Sequence, residues 1–235
     1  EFNVAVGKDA LGSDTDGGYN VGIGALALST QNFTTTTNSY NTAVGGLAGR
    51  RITTGIKNVL IGGQAGDAIT DADSNVAVGY ASLTTNVLGS KSIAVGEGSL
   101  SDQNPATAAD MYNVAVGHNA GAAVTTGVEN TIIGGLALGY QALTTGQGSS
   151  ANVAIGTAAL AAANSGATSS TTYNTAVGHL AGTAVTTGTE NTLIGGISGD
   201  ALTDADGNTA VGYSSLTSDT LGSKSTAIGR SALAT

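Results

Sequence analysis

The sequence predicts an all-β chain, a parallel β-solenoid (β-roll) of about thirteen turns. Three observations predict it. One short motif recurs at near-constant spacing along the whole chain, the columns of that motif alternate as a strand does, and the composition lacks what a large globular interior needs.

The motif is Asn or Ser, a β-branched residue, a small or aliphatic residue, Val or Ile, then Gly. It opens at Asn3, Asn20 and Asn41 and continues to Asn208 and Ser225, thirteen copies in all; eight of the twelve intervals are 17 residues, two are 21 and two are 22. Units this short cannot bury a core alone and must stack on their neighbours. With the opening Asn as column zero, column one is β-branched in every copy and column three is Val or Ile in every copy. Column four is always Gly, from Gly7 to Gly229. β-Branched residues at period two, ended by a residue free to take positive φ, predict a short strand. Successive strands then lie parallel at about 4.8 Å, and twelve such rises make a rod of roughly 60 Å. The Asn column suits either a ladder of stacked amides or a turn residue that tolerates a left-handed backbone.

Column seven is Ala or Ser every time and column eight Leu or Gly every time, as in Ala48-Gly49 and Ser82-Leu83. A column restricted to Ala and Ser marks a place where another backbone comes too close for a larger side chain. Both faces of the strand are non-polar, and a strand covered on both sides reads this way. One face packs inside the coil; the other calls for a further partner, most simply a second copy of the chain.

The whole of residues 1–235 reads as a single repeat domain, expected to be a fragment of a longer fibre. Polar insertions near 31–37, 103–109, 144–149 and 164–171 interrupt the period, and in stacked repeats such insertions become projecting loops. A larger repeat overlies the small one: residues 41–101 resemble 174–233, with Thr70-Asp71-Ala72-Asp73 matching Thr203-Asp204-Ala205-Asp206.

Composition narrows the function classes. Gly contributes 37 residues, aromatics 4%, and Trp and Cys none, so thin layers of Ala, Val, Leu and Ile replace an aromatic core and there is no disulfide or thiolate chemistry. The net charge of −9, with Arg50-Arg51 the only adjacent cations, argues against nucleic acid and against a polybasic membrane contact. No apolar run approaches the roughly 20 residues that span a bilayer, so no membrane insertion by this segment is expected.

Candidate chemistry is sparse. His118 and His179 share the variable column after the strand Gly, a solvent-facing position where three-fold symmetry could nevertheless gather a metal or anion site. Asp71, Asp73, Asp204 and Asp206, like Asp14 and Asp16, form Asp-x-Asp pairs that are either exposed turn residues or a weak Ca²⁺ site, without the full twelve-residue loop that binds Ca²⁺ strongly. No nucleophile, base and orienting group occur together, so no catalytic residue, enzyme activity or cofactor is expected. The Val21-Gly22-Ile23-Gly24 stretch mimics a dinucleotide fingerprint but sits in the repeat columns. Thr pairs such as Thr53-Thr54, Thr144-Thr145 and Thr186-Thr187 raise ice binding, although adjacent strand residues point to opposite faces.

The "NVAVG", "NTAVG" and "NVAIG" motifs, followed after two residues by Ala or Ser and then Leu or Gly, resemble the head repeats of YadA-like trimeric autotransporter adhesins, whose period is shorter. The longer form from Thr125 to Gly134, repeated from Thr186, resembles repeats of phage and virus tail fibres. The resemblance covers essentially the whole chain. It implies a left-handed parallel β-roll in a homotrimer, an extracellular fibre segment on a virion or cell surface that presents loops to a host receptor or glycan. The alternative expectation is a stand-alone ice- or carbohydrate-binding β-solenoid.

Overall fold

The computed structural model describes residues 2–135, 148–164 and 170–234, which fall into two compact units, Glu1–Tyr112 and Asn113–Thr235. The chain is all-β, and among the described residues there is no helix. Every copy of the motif supplies one three-residue strand at columns one to three. The first unit has six: Val4–Val6, Val21–Ile23, Thr42–Val44, Val59–Ile61, Val76–Val78 and Ile93–Val95. The second has seven: Val114–Val116, Thr131–Ile133, Val153–Ile155, Thr175–Val177, Thr192–Ile194, Thr209–Val211 and Thr226–Ile228.

Within each unit these strands pair in parallel, column on column, with Val59 opposite Val76 and Thr192 opposite Thr209. The register holds across long intervals as well as short ones. Gly22 still faces Ala43, and Ile132 still faces Ala154. The extra residues are therefore looped out rather than absorbed by a slip, which would turn the whole apolar set to the wrong face. On the way back the chain re-enters the coil through two-residue parallel bridges: Gly17–Gly18 with Thr37–Asn38, Gly89–Ser90 with Ala109–Asp110, and Ser149–Ser150 with Ser170–Thr171. Parts of the expected insertions at 144–149 and 164–171, together with Thr144-Thr145, lie outside the described residues.

Column two points inward. Ala43, Leu60, Ala77, Ile132, Ala176 and Leu193 are all fully buried, whereas columns one and three face outward. The Asn column forms the expected ladder and not the left-handed turn. Each Asn Oδ1 accepts the backbone N–H of the next Asn or Ser in the column, as Asn41 does from Asn58 at 2.9 Å and Asn191 does from Asn208 at 3.0 Å. The Nδ2 group closes its own turn, with Asn58 donating to the Ala72 carbonyl at 2.8 Å and Asn191 to Ala205 at 2.8 Å. A buried backbone N–H that the strand ladder cannot reach is thereby paired.

The left-handed backbone falls instead on the residue before the Asn, as at Tyr40 (φ 51°) and Glu190 (φ 59°), and on columns six and eight. Column eight explains its Leu-or-Gly rule. The Leu residues there have φ between 47° and 56°, the Gly residues between 56° and 61°. Gly meets the backbone demand without strain, while Leu accepts it in order to fill the core. Which one occurs depends on volume. A Cβ on Gly49 or Gly66 would lie 2.7 or 2.8 Å from a Leu60 methyl, and one on Gly182 or Gly199 would lie 2.7 Å from a Leu193 methyl. Leu60 and Leu193 at column two are thus each flanked by Gly at column eight of their own turn and of the turn before. Column eleven follows suit: Ile52, Ile69, Val185 and Leu202 fill the space beside these glycines. In the turns of Leu28, Leu83 and Leu100, column eleven instead carries Gln31, Asn86 and Gln103, also fully buried.

Column four is Gly for a second reason. At Gly45 (φ 138°) a Cβ would sit 2.5 Å from the carbonyl oxygen of Gly62 in the next turn. Column seven is buried inside the coil at Ala48, Ala65, Ser82, Ala120 and Ala181, in line with the exclusion inferred from its composition.

Candidate functional site

The Asn ladder and the aliphatic columns fill the interior, so the surface that can act is the outward face of the strands. Column one and column three project from it in two straight ranks per unit. Residues in one rank are spaced by the strand separation of about 4.8 Å, and the two ranks by two residues of strand, about 6.6 Å. No charged residue occupies either column in any copy. Ile23, Ile61, Ile93, Val116, Ile133 and Ile194 are 37–42% exposed, a large fraction for aliphatic side chains held in regular order.

The two units differ in the chemistry of this face. In the first, columns one and three are Val or Ile except at Thr42. In the second, column one is Thr131, Thr175, Thr192, Thr209 and Thr226, with Val114 and Val153 the exceptions. The last four Thr are consecutive in the ladder, and Val177, Ile194, Val211 and Ile228 run beside them. β-Branched side chains are stiff at χ1, so both faces are rigid as well as regular. Sequence reading registered this β-branched column but not the contrast between the units, because only the structure shows that column one faces out.

Charged and aromatic groups lie at the corners. Phe2, Tyr19 and Tyr40 precede the Asn of three successive turns, and their rings follow one another at 5.2 Å between centroids. In the same column, Lys91 Nζ lies 2.6 Å from Asp110 Oδ2 and donates to the Tyr112 hydroxyl at 3.2 Å. The hydrogen bond from Lys91 holds the Asp110 carboxyl below its ordinary pKa, and the bond to Asp110 holds Lys91 above its own. In column nine, Arg50 Nη2 donates to Asp67 Oδ2 at 3.0 Å. Asp200 is the counterpart of Asp67 in the matching block, but Thr183 stands where Arg50 would. Burial pushes the Asp200 carboxyl above its ordinary pKa, against the backbone N–H groups of Asp200 and Ala201.

The residues singled out for metal binding are not brought together. His118 and His179 are both exposed and stand three turns apart, on the order of 14 Å along the stack, too far to share an ion within one chain. Asp71 Oδ1 accepts from the Thr53 and Thr54 hydroxyls at 2.7 and 2.9 Å, and Asp73 Oδ1 from the Ile56 N–H at 2.8 Å. Asp206 Oδ1 accepts from the Thr189 N–H and hydroxyl, and Asp204 from the Thr203 hydroxyl. Asp71, Asp73 and Asp206 thus staple one turn to the preceding one, which also accounts for the Thr53-Thr54 pair. Among the described residues no group of three His, Asp or Glu is placed to hold a metal ion, and no helix is long and apolar enough to cross a membrane. Comparison with family models, with curated proteins and with solved structures returned no match.

Proposed function

We propose that this chain is a structural and adhesive fibre segment, of the kind found in YadA-like adhesin heads and in tail fibres, working outside the cell as a homotrimer on a virion or cell surface. In this reading it is not an enzyme and needs no cofactor; the coil supplies stiffness, and the polar insertions near 31–37 and 103–109 meet a host receptor or glycan. The observation that carries it is the bare Val and Ile face of the first unit. The chain's own Asn ladder and aliphatic columns fill the inside of the coil, yet Ile23, Ile61 and Ile93 on the outward columns remain exposed. Contiguous apolar patches of this kind mark surfaces that another molecule covers. A copy of the same chain presents the same spacing and so matches rank for rank.

Sedimentation and light scattering at micromolar concentration test the reading. The expected result is a trimer that dissociates when Ile61 and Val78 are replaced by Lys. A monomeric wild-type chain overturns it.

A further inference from the structure

We propose that the outward face of the second unit binds ice, through the Thr rank Thr175, Thr192, Thr209 and Thr226 and the Val/Ile rank beside it.

This goes beyond the fibre reading and does not require self-association. Three features of this face bear on its ligand, and the apolar face of the first unit lacks the first two. The four Thr are consecutive and in register, Thr175 opposite Thr192, Thr192 opposite Thr209 and Thr209 opposite Thr226, so their hydroxyls and methyls repeat at the strand spacing of about 4.8 Å. Among the described residues, none of the four hydroxyls has a hydrogen-bond partner, so each has both a donor and acceptors to offer. Finally, the face carries no charge: the two ranks are Thr, Val and Ile throughout, while the acidic residues behind the net charge of −9 lie in other columns.

A dry contact with a second copy suits the Val and Ile of the first unit. It suits this face poorly, because burying a row of hydroxyls without partners is penalised. A soluble glycan or peptide would be recognised by a concave site with a few convergent polar groups, whereas this face repeats the same residues turn after turn. Ordered water meets both requirements. A water lattice is neutral, periodic in two dimensions and able to donate to and accept from every Thr, while the γ-methyls and the Val/Ile rank sit between water rows without competing for hydrogen bonds. The turns beneath are pinned by the Asn174, Asn191 and Asn208 ladder, so the ranks hold their spacing and little order has to be imposed on binding.

The test uses the full chain, with growth and melting of single ice crystals observed in a nanolitre osmometer and recrystallisation followed in frozen sucrose. The expected result is faceted crystals with a gap between freezing and melting, and suppressed recrystallisation. Thr192→Tyr and Thr209→Tyr, which raise a bulky ring out of the plane, should lose at least tenfold in activity, as should Thr192→Ser, which removes a methyl and leaves the fold in place. Thr157→Tyr, off the face, should retain activity, and thermal melting of all variants confirms that they fold. Wild-type chain without ice shaping, full activity in the Thr192 and Thr209 variants, or binding to crystalline cellulose in place of ice each overturns the proposal. Light scattering on the same samples keeps the two readings apart: a trimer inert towards ice refutes this inference alone, and an ice-active monomer refutes the trimer alone.

Discussion

Exchange of Leu60 and Gly66 tests the volume rule that governs the coil interior. Leu60→Ala removes three carbons from a fully buried site, a loss of about 2–5 kcal/mol. Gly66→Leu places a side chain where even a Cβ lies 2.8 Å from both Leu60 and Ile69 methyls, and such overpacking costs about 1–3 kcal/mol. The left-handed backbone at Gly66 (φ 58°) adds roughly 1 kcal/mol or more for a non-Gly residue. Summed independently, the two changes should cost on the order of 4–9 kcal/mol. The double variant, however, brings columns two and eight to the pairing of Ala77 and Leu83 (φ 50°), with Ile69 left at column eleven where that turn has Asn86. The double variant should therefore be more stable than the sum of the singles by about 1–3 kcal/mol, the range seen for residues that share one space. Urea unfolding of wild type, both singles and the double measures this coupling. Strict additivity would show that Leu60 and Gly66 do not share one volume, and the account of column eight would fall.

Four other outcomes are expected. Asn191→Ala removes the acceptor of the Asn208 N–H and Nδ2 and the donor to the Ala205 carbonyl, so three buried groups lose this partner at about 1–3 kcal/mol each, measurable as a lowered urea midpoint. Ala120→Leu and Ala181→Leu at column seven, both fully buried, should cost about 1–3 kcal/mol, whereas Thr157→Leu on the exposed surface should be near neutral in the same melts. Asp200 has a raised folded-state pKa, so the folded state binds its proton more tightly than the unfolded state does and stability falls as pH rises through that interval; Asp200→Asn should therefore melt higher than wild type at neutral pH, with the gap closing as pH drops below the ordinary carboxylate range. Asp110 behaves oppositely, because its lowered pKa makes the Lys91 contact stabilising above the ordinary Asp value and lost as pH falls through the lowered one; Lys91→Met should abolish that part of the acid sensitivity in a pH series of melts.

The thirteen copies and their period-two columns determined by themselves that the chain is a parallel stack of short strands, because a strict spacing leaves few ways to bury a motif that cannot bury itself. They also determined that Gly stands at column four and that the inserted residues loop out, since both follow from the register alone. Two roles were open in the sequence for the Asn column, and only the coordinates of Asn58 and Asn191 chose between them. An amide that bonds the next turn's N–H and one that merely tolerates a left-handed corner look alike in a string of letters. The left-handed corners went instead to Tyr40, Lys57 and Glu190, residues with no such preference, because the closure of each turn overrides local propensity. Which ionic groups meet was equally a matter of three dimensions: the pairs at Asp71, Asp73 and Asp206 turned out to be inter-turn acceptors once residues 17 or 18 positions earlier lay directly beside them. Column two points inward and column one outward because Ala and an occasional Leu fit the narrow coil and a rank of β-branched side chains does not. That choice of sides decided what the molecule shows to its surroundings, a Val and Ile face on one unit and a Thr face on the other.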